Sequence, residues 1–300
     1  MTRCRIAILI LALPALAGCR DMPSASAAEI RDVERTRAKE FERRLARADK
    51  DTTHMLPVAK WIMPVELKEI SGLALTPSGK LLTHDDNVGR VFVLDPKTGI
   101  ALKQFFVGDA LRGDFEAITT AGSDIYMLQS NGKIYRFREG ANGATVPFEI
   151  FDTKLGHECE FEGIVYDPDS TWLVMPCKNV TQKKMKDDLV LYRWRLTGPD
   201  STRLTMMTVP LDLIASDNGW KSFRPTDITI DPVTNNYVLI SSHEKGLVEI
   251  TKAGDVERSV KLPGKHSQPE GIAITKDNVL IISDEENRSP AAITLYRWRP

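Results

Sequence analysis

Short apolar runs preceded by polar or acidic residues recur along most of the chain. The clearest one extends from Glu158 to Pro168, where acidic residues precede an alternating apolar stretch. Five copies can be aligned, and their matching positions lie roughly 45 residues apart, with one wider gap. The matching positions are Ile70, Phe115, Phe161, Pro225 and Pro269. A period of this size predicts stacked supersecondary units.

Each copy opens a unit of short apolar segments that are separated by turn residues such as Pro77-Ser78-Gly79. The first unit has segments at 70–75, 80–84, 89–94 and 101–107, and the second unit repeats this order. Successive four-stranded meanders at one period are typical of propeller blades. We therefore predict an all-β fold, a β-propeller of five four-stranded blades. Six blades are the alternative if residues 197–223 hide a degenerate one.

The fifth unit contains three strand segments and lacks a fourth. An apolar segment from Val58 to Met63 precedes the first copy and belongs to no unit of its own. We predict that this N-terminal strand completes the last blade, which closes the ring and covers strand edges that would otherwise be exposed.

Composition limits the classes of function. With 300 residues and 42% hydrophobic content, the chain can bury a substantial core. The 40 Lys and Arg residues nearly balance the 41 Asp and Glu residues, so the bulk basicity that nucleic acid would require is lacking. We expect a monomer with no nucleic-acid partner, whose binding specificity comes from a local site.

The N-terminus has the pattern of a secretory signal, since Arg3 and Arg5 precede an apolar run that leads through Ala17 and Gly18 to Cys19. This ending resembles the lipobox of bacterial lipoproteins, whose cysteine becomes the lipidated first residue. The resemblance implies a signal peptide over residues 1–18 and a lipid on Cys19 that binds the membrane. It places the protein in the bacterial cell envelope, at the outer membrane or at the extracytoplasmic face of the inner membrane. A short transmembrane anchor is the alternative, but the run is far below the ~20 residues that a span needs.

Residues 19–53 are charged and alanine-rich, with a thin apolar stripe that includes Ile30, Phe41 and Leu45. We predict a tether that is helical from about Glu29 to Ala48 and that separates the propeller domain, residues 54–300, from the lipid. A coiled-coil partner surface is the alternative.

Antiparallel pairing places the start of the first strand and the end of the second strand of a unit at the same edge. The acidic residues at first-strand starts should therefore converge on one face, where we predict these metal ligands: Glu69, Glu116, Glu162, Asp227 and Glu270. The same geometry adds a ligand-binding face near second-strand ends: Asp85, Asp86, Asn131, Lys178, His243, Glu244, Asp284 and Glu285. Converging carboxylates repel one another unless a cation neutralises them, and an irregular set of oxygen ligands favours Ca²⁺. The alternative is that these acids accept hydrogen bonds from backbone amides and hold turns.

Cys159 and Cys177 fall on the two strands of one hairpin, so a cross-strand disulfide is feasible, with two free buried thiols as the alternative. Four histidines fall at the acidic edge: His84, His157, His243 and His266. They could bind a transition metal or act as general bases, but neither an HExxH motif nor a close histidine pair accompanies them. The sequence also contains no GxSxG, Walker A or GxGxxG motif and no zinc-type cysteine pairs.

Three motifs occur together with the segment 130–137: Ser71-Gly72-Leu73-Ala74, Asp114-Phe115-Glu116-Ala117-Ile118 and Cys159-Glu160-Phe161-Glu162-Gly163. In this combination, residues 60–300 resemble the SdiA-regulated family of bacterial β-propeller proteins. The resemblance implies a propeller exported to the cell envelope, without an established catalytic activity. The acidic strand starts are more distantly similar to those of calcium-dependent propeller hydrolases such as gluconolactonase-like enzymes and esterase-like phytases.

Two hypotheses of function fit these patterns. The first is a lipid-anchored propeller that binds a small molecule or a protein on its acidic face, with Ca²⁺ as cofactor. The second is a metal-dependent hydrolase of an ester, lactone or phosphoester, with a carboxylate or His243 as base. A cation site with an open coordination position would favour the enzyme, and a fully enclosed one would favour the binding module.

Overall fold

The computed structural model describes residues 27–51, 55–197 and 203–299. The expected signal peptide and Cys19 lie outside these ranges. The described part begins with helix α1 (Ala27–Ala48) and strand β1 (Pro57–Ile62). No helix in the described ranges is long and apolar enough to cross a membrane.

The first two blades of the propeller follow β1. Blade 1 consists of β2 (Ile70–Leu75), β3 (Leu81–Asp85), β4 (Arg90–Leu94) and β5 (Ala101–Val107). Blade 2 begins with β6 (Phe115–Ala121), β7 (Asp124–Gln129) and β8 (Lys133–Arg138). The short strand β9 (Thr145–Val146) then pairs in parallel with β5 at the outer edge of blade 1, and β10 (Phe148–Asp152) completes blade 2.

The remaining three sheets repeat the same meander. Blade 3 consists of β11 (Cys159–Phe161), β12 (Val165–Asp167), β13 (Trp172–Val180), β14 (Asp188–Arg195) and β15 (Leu204–Pro210). Blade 4 consists of β16 (Asp227–Ile230), β17 (Tyr237–Ser241), β18 (Gly246–Ile250) and β19 (Val256–Lys261). Blade 5 contains β20 (Pro269–Ile274), β21 (Val279–Asp284) and β22 (Ala292–Arg297).

The five sheets form a closed ring, which confirms the predicted five-bladed β-propeller. Strand β1 pairs antiparallel with β22, with Lys60 opposite Thr294 and Ile62 opposite Ala292. The N-terminal strand therefore supplies the fourth strand of blade 5, as the sequence predicts. The first strands of the blades lie next to one another around a central channel, with β2 between β6 and β20.

In the described residues, the segment 197–223 that could have hidden a sixth blade forms no sheet of its own, since its single strand, β15, belongs to blade 3. After β15 it forms helix α2 (Leu211–Ala215) and a single 3₁₀ turn at Ser216–Asn218. Ile214 and Phe223 are buried against the core between blades 3 and 4. The wider gap in the repeat is therefore filled by a packed connection.

The middle strands of the blades are buried on both faces by their neighbours. All five residues of β17 and all five of β18 are buried. Tyr237 of blade 4 and Val209 of blade 3 belong to one apolar core between the two blades. This double burial explains why the second and third strands are almost continuously apolar in sequence.

Helix α1 packs on the propeller at the seam between blades 5 and 1. The Phe41 and Ala48 side chains are 2% and 4% exposed and join a core that contains Leu94 of blade 1 and Leu295 of blade 5. The predicted helical span agrees with the structure to within two residues at its start. The C-terminal part of the apolar stripe, Phe41 and Leu45, thus packs against the propeller, whereas Ile30 remains exposed.

Polar contacts fix the helix to both blades. The Arg37 guanidinium donates to the Thr98 carbonyl at 2.9 Å, and Lys97 pairs with Glu42 at 2.7 Å, both on the blade 1 side. On the blade 5 side, Arg299 donates to the Ala48 carbonyl at 2.8 Å. Helix α1 therefore holds the two sides of the seam together.

Candidate acidic pocket in the channel

Two of the acidic side chains reach the channel because their strands carry β-bulges. In blade 2, Phe115 is opposite Gln129 and Ala117 is opposite Leu128, so Glu116 is an extra residue. In blade 5, Glu270 is the extra residue between the pairs that begin at Pro269 and Gly271. A bulge turns the side chain of its extra residue out of the regular alternation. Both carboxyl groups consequently line a pocket at the mouth of the channel.

Blade 3 reaches the same pocket by a different irregularity. Its first strand is interrupted between β11 and β12, and Glu162 lies in the interruption. The bulge is on the partner strand, where Lys178 is the extra residue between Cys177 and Asn179. The Lys178 ammonium forms an ion pair with the buried Glu162 carboxylate. Blade 3 thus contributes both an acid and its counter-charge.

A small residue follows each of these glutamates because the first strands approach closely around the channel. A Cβ atom on Gly163 would lie 3.1 Å from the Asp227 Cα atom, and one on Gly271 would lie 3.0 Å from the Leu73 nitrogen. Larger side chains at these positions would separate the blades. In the repeated pattern of glutamate followed by glycine or alanine, the glutamate therefore lines the pocket. The small residue after it lets neighbouring blades pack closely.

The pocket has a volume of about 140 Å³ and combines six carboxyl groups with one ammonium group. Its lining residues are Glu69, Ile70, Ser71, Asp86, Glu116, Glu162, Lys178, Gln268, Glu270 and Glu285. Four of the five predicted metal ligands and three residues of the predicted ligand-binding face are among them. At one side of the pocket, Glu69, Asp86 and Glu285 each offer an oxygen atom within 4.8 Å of the others.

The pKa values of the three other glutamates of the pocket are raised above the ordinary value. Burial and the charge of Glu162 raise the pKa of Glu116 to about 9. Burial raises the pKa of Glu162 to about 8, although Lys178 acts in the opposite direction. Burial likewise raises the pKa of Glu270 to about 7, again opposed by Lys178. Removal from water is the main cause in each case, because it disfavours the charged form.

Within the cluster of Glu69, Asp86 and Glu285, one proton is held between Glu285 and Glu69. Burial and a hydrogen bond with Glu69 raise the pKa of Glu285 to about 8, whereas the same hydrogen bond lowers the pKa of Glu69. Burial and the charge of Glu69 raise the pKa of Asp86 to about 6. At neutral pH, the protonated Glu285 thus donates a hydrogen bond to the ionised Glu69 carboxylate. A divalent cation bound among these oxygens would take the place of that proton.

Asp227 does not line the pocket, contrary to the expectation that it is a metal ligand. In blade 4, Thr226 occupies the position of Glu116 and Glu270, and Asp227 stands one residue later, at the position of the small residue. Its carboxylate accepts backbone N–H groups from Ile228 at 2.8 Å, Ile272 at 2.8 Å and Leu73 at 3.3 Å. Burial raises its pKa well above the ordinary value, whereas these three hydrogen bonds favour the ionised form. Asp227 therefore joins blades beneath the pocket.

Several residues of the predicted ligand-binding face hold loops instead. The Asp85 carboxylate accepts the Asn87 and Val88 amides, and Asn131 accepts the Lys133 amide at 3.1 Å. Asp284 accepts the Gln268 amide at 3.1 Å. For these side chains the alternative considered above, turn stabilisation through backbone amides, describes the structure.

Glu244 and the histidines also have structural contacts away from the pocket. The Glu244 carboxylate accepts the Ser222 hydroxyl at 2.6 Å and the Arg224 amide at 3.0 Å, and His243 bonds to it at 2.8 Å. His266 lies between Asp284 and the Tyr296 hydroxyl. His84 is fully buried, which lowers its pKa to about 4. None of the described histidines lines the pocket.

Sequence reasoning missed two polar residues of the pocket, Ser71 and Gln268. Ser71 aligns with Glu116 and Glu270 in the repeat, and this alignment was the signal that could have identified it. Its hydroxyl donates to the Glu116 carbonyl at 2.8 Å, just as Thr226 donates to the Pro269 carbonyl at 2.9 Å. At this position of the repeat, blades 1 and 4 thus have a short hydroxyl side chain instead of a glutamate. The hydroxyl group donates a hydrogen bond to the neighbouring blade.

The predicted cysteine pair is joined in the structure. Cys159 on β11 and Cys177 on β13 form a disulfide with a Cα–Cα distance of 5.6 Å. Both side chains are buried. The bond lies one residue away from Lys178 on one strand and one residue away from Glu160 on the other.

The fold and site thus define a five-bladed propeller with a carboxylate-lined pocket at its channel. The sequence model of the SdiA-regulated family matches residues 222–297, which cover blades 4 and 5. The resemblance read from the motifs is therefore confirmed over this part of the chain. No curated protein sequence matches the chain.

Solved structures with similar folds include several enzymes. The glutaminyl cyclase of Myxococcus xanthus is 14% identical, with a TM-score of 0.53 and coverage of 81% of this chain and 94% of that chain. A luciferin-regenerating enzyme is 10% identical, with a TM-score of 0.50 and coverage of 80% of this chain and 98% of that chain. The virginiamycin B lyase of Staphylococcus aureus is 14% identical over 79% of this chain and 69% of that chain, with a TM-score of 0.44. At these identities the likeness shows the propeller fold alone.

Proposed function

We propose that the protein is a binding module of the bacterial cell envelope that takes a cation in its channel pocket, with Ca²⁺ as the expected ion. One observation carries the proposal: six carboxyl groups and a single lysine line a pocket of about 140 Å³. Such a set is costly to ionise without a further positive charge. Oxygen ligands of irregular arrangement suit Ca²⁺ better than Mg²⁺, which requires near-octahedral geometry.

The arrangement of the six carboxyl groups suggests two parts of the site. Glu69, Asp86 and Glu285 are close enough together to bind one ion. Glu116 and Glu270 line the same pocket without belonging to this trio, and they can bind the cationic group of a small molecule or of a protein side chain. The partner that we propose for this face is therefore positively charged.

Calorimetric titration of the purified protein with Ca²⁺ tests the proposal, with Mg²⁺ as the comparison ion. We expect Ca²⁺ to bind, and we expect Glu69→Gln and Glu285→Gln each to weaken binding at least about tenfold, since each removes a carboxyl group that would coordinate the bound ion. Glu149→Gln is the matched control, because this exposed acid on blade 2 lies on β10 outside the pocket. If the parent protein releases no heat with either ion, the proposed cation site is wrong.

Hydrolysis of an ester, lactone or phosphoester is a second candidate, favoured by one observation. The pKa of about 9 keeps Glu116 protonated at neutral pH in the same pocket as the cation-binding oxygens, as a general acid requires. Assays with nitrophenyl esters, a lactone and a nitrophenyl phosphate in the presence of Ca²⁺ would test it. Turnover that is lost in Glu116→Gln but kept in Glu149→Gln would establish an enzyme.

The envelope location rests on the expected lipid at Cys19. Mass spectrometry of the mature protein should find a lipid-modified N-terminal cysteine, and Cys19→Ser should release the protein from the membrane fraction. An unmodified N-terminus that retains residues 1–18 would contradict this part of the proposal.

A further inference from the structure

The Cys159–Cys177 disulfide lies where blade 3 is least regular. Strand β11 has only three residues, and a bulge separates its pairing partners on β13. In the other blades the first strand is continuous over four to seven residues. So short a strand makes few backbone hydrogen bonds, and the covalent bond compensates by holding β11 against β13.

The residue that the bulge adds is Lys178, which directly follows Cys177. Its ammonium group reaches the Glu162 carboxylate, which lies just beyond the other end of β11. Glu160, which follows Cys159, accepts a hydrogen bond from Asn179 at 2.5 Å. The two polar contacts therefore flank the disulfide and join the same two strands.

The position of Lys178 sets the charge of the pocket. Lys178 is the single cationic side chain among the residues that line the pocket. Its side chain is 29% exposed, and that of its partner Glu162 is 7% exposed. Were the bulge to relax, the ammonium would be free to move to solvent and Glu162 would lose its counter-charge.

We propose that the Cys159–Cys177 disulfide is a positioning element of the acidic pocket, which holds the β13 bulge so that Lys178 is directed at Glu162. The proposal rests on the proposed function only where it concerns cation affinity. It implies that the pocket acquires its native charge only after the protein has folded in an oxidising compartment. The two cysteine side chains, 1% and 3% exposed, are also shielded from thiol reductants in the folded protein.

Reactivity of the Lys178 amine measures its position directly. The parent protein and the Cys159→Ala/Cys177→Ala variant are labelled with an amine-reactive anhydride, and the rate at Lys178 is followed by peptide mass spectrometry. We expect labelling of Lys178 to accelerate about tenfold in the variant, because a partly buried ion pair no longer restrains the amine. The exposed Lys154, on the loop between blades 2 and 3, is the internal reference and should keep its rate.

A purely structural role predicts a different result. The disulfide variant would then lose thermal stability while Lys178 kept its labelling rate, and this outcome would overturn the proposal. Val93→Ala provides the control for general destabilisation, since this buried residue of blade 1 is remote in sequence from blade 3. It should lower the melting temperature without changing the labelling of Lys178. If it accelerates labelling equally, the effect of the disulfide is not specific and the proposal fails.

A second experiment measures Ca²⁺ affinity, and it distinguishes a failure of this proposal from a failure of the proposed function. We expect Lys178→Met to raise Ca²⁺ affinity about tenfold, because a like charge leaves the pocket. The disulfide variant should change affinity in the same direction, and it should add nothing in the Lys178→Met background. Equal effects in both backgrounds would show that the disulfide does not act through Lys178. If the parent binds no Ca²⁺, the proposed function fails, whereas the labelling result still decides the positioning role.

Discussion

The carboxylate of Asp227 in blade 4 accepts the backbone N–H group of Leu73 in blade 1, at 3.3 Å across the channel. These two blades are not neighbours in the ring, since blade 5 lies between them. The same carboxylate accepts the Ile272 amide of blade 5 at 2.8 Å. One buried side chain thus joins three blades directly beneath the acidic pocket and keeps their first strands at a fixed separation.

Replacing Asp227 should destabilise the whole ring. In Asp227→Asn one acceptor oxygen becomes an NH₂ group that faces a backbone donor, so we expect a loss of about 2–4 kcal/mol in the free energy of unfolding. Urea unfolding at neutral pH measures the loss. Asp114→Asn is the control, because this exposed acid accepts the Ser130 hydroxyl at 2.5 Å within its own blade and should change stability little. A loss below about 0.5 kcal/mol for Asp227→Asn would contradict the role of the cross-channel contacts.

Helix α1 should contribute measurably to propeller stability. Phe41 is 2% exposed in the core shared by blades 1 and 5, so Phe41→Ala should cost about 3 kcal/mol through lost burial and the cavity it leaves. Hydrogen exchange of β1 and β22 should accelerate together, since Val58 of β1 and Leu295 of β22 belong to the same core as Phe41. Val33→Ala is the control, because Val33 is 47% exposed on the same helix. An unchanged exchange rate in Phe41→Ala would mean that the helix is a passive tether.

We expect a side chain at Gly72 to destabilise the protein strongly, because blades 1 and 2 approach closely there. A Cβ atom there would lie 2.8 Å from the Ala117 Cα atom and 3.0 Å from the Ile118 nitrogen, and neither backbone atom can move without separating blades 1 and 2. We expect Gly72→Ala to cost about 2–3 kcal/mol in thermal or urea unfolding. At Gly79 the added atom meets nothing within 4 Å, but φ is +78°, so Gly79→Ala measures backbone strain alone. Equal losses of stability in Gly72→Ala and Gly79→Ala would show that packing between blades does not cause the loss at Gly72.

Stability of the cation-free protein should fall as pH rises. In the folded state the pKa values of Glu116, Glu162 and Glu270 are raised from 4.5 to about 9, 8 and 7. The folded protein therefore binds more protons than the unfolded chain between about pH 4.5 and 9, and the free energy of unfolding decreases across this window. The lowered pKa of Glu69 acts in the opposite direction, with stability lost as pH falls below 4.5.

Urea unfolding in the presence of a chelator, at several pH values, checks this dependence. Glu116→Gln should be less pH-sensitive than the parent protein, because it removes the group with the highest pKa of the three. A parent protein whose stability rises between pH 6 and 8 would contradict the burial of these acids. Added Ca²⁺ should reduce the loss at high pH if the ion binds in the pocket.

The repeat in the sequence was sufficient to predict the fold. Strand periodicity defined five units, and the unmatched segment Val58–Met63 identified the strand that closes the ring. The convergence of Glu116, Glu162 and Glu270 also followed from the sequence, since each holds the same position in its unit. Topology made this inference reliable because equivalent positions of a propeller meet at one channel.

The position of Asp227 could not be predicted from acidity alone. It differs from the other acids by one residue, and that shift moves it from the pocket to the layer of close contacts beneath. The bulges that direct Glu116 and Lys178 have no simple sequence signal, since they depend on how the hydrogen-bond ladder is interrupted. The docking of Phe41 was missed for a similar reason, because a thin apolar stripe does not reveal the surface that it covers.

The pairing of β1 with β22 also has a consequence for biogenesis. Strand β1 can form this pairing only after β22 has been made, because Lys60 lies opposite Thr294. Contacts so distant along the chain form slowly. Until β22 has been made, the growing polypeptide will therefore carry an unpaired strand edge, and we expect it to depend on chaperones up to that point.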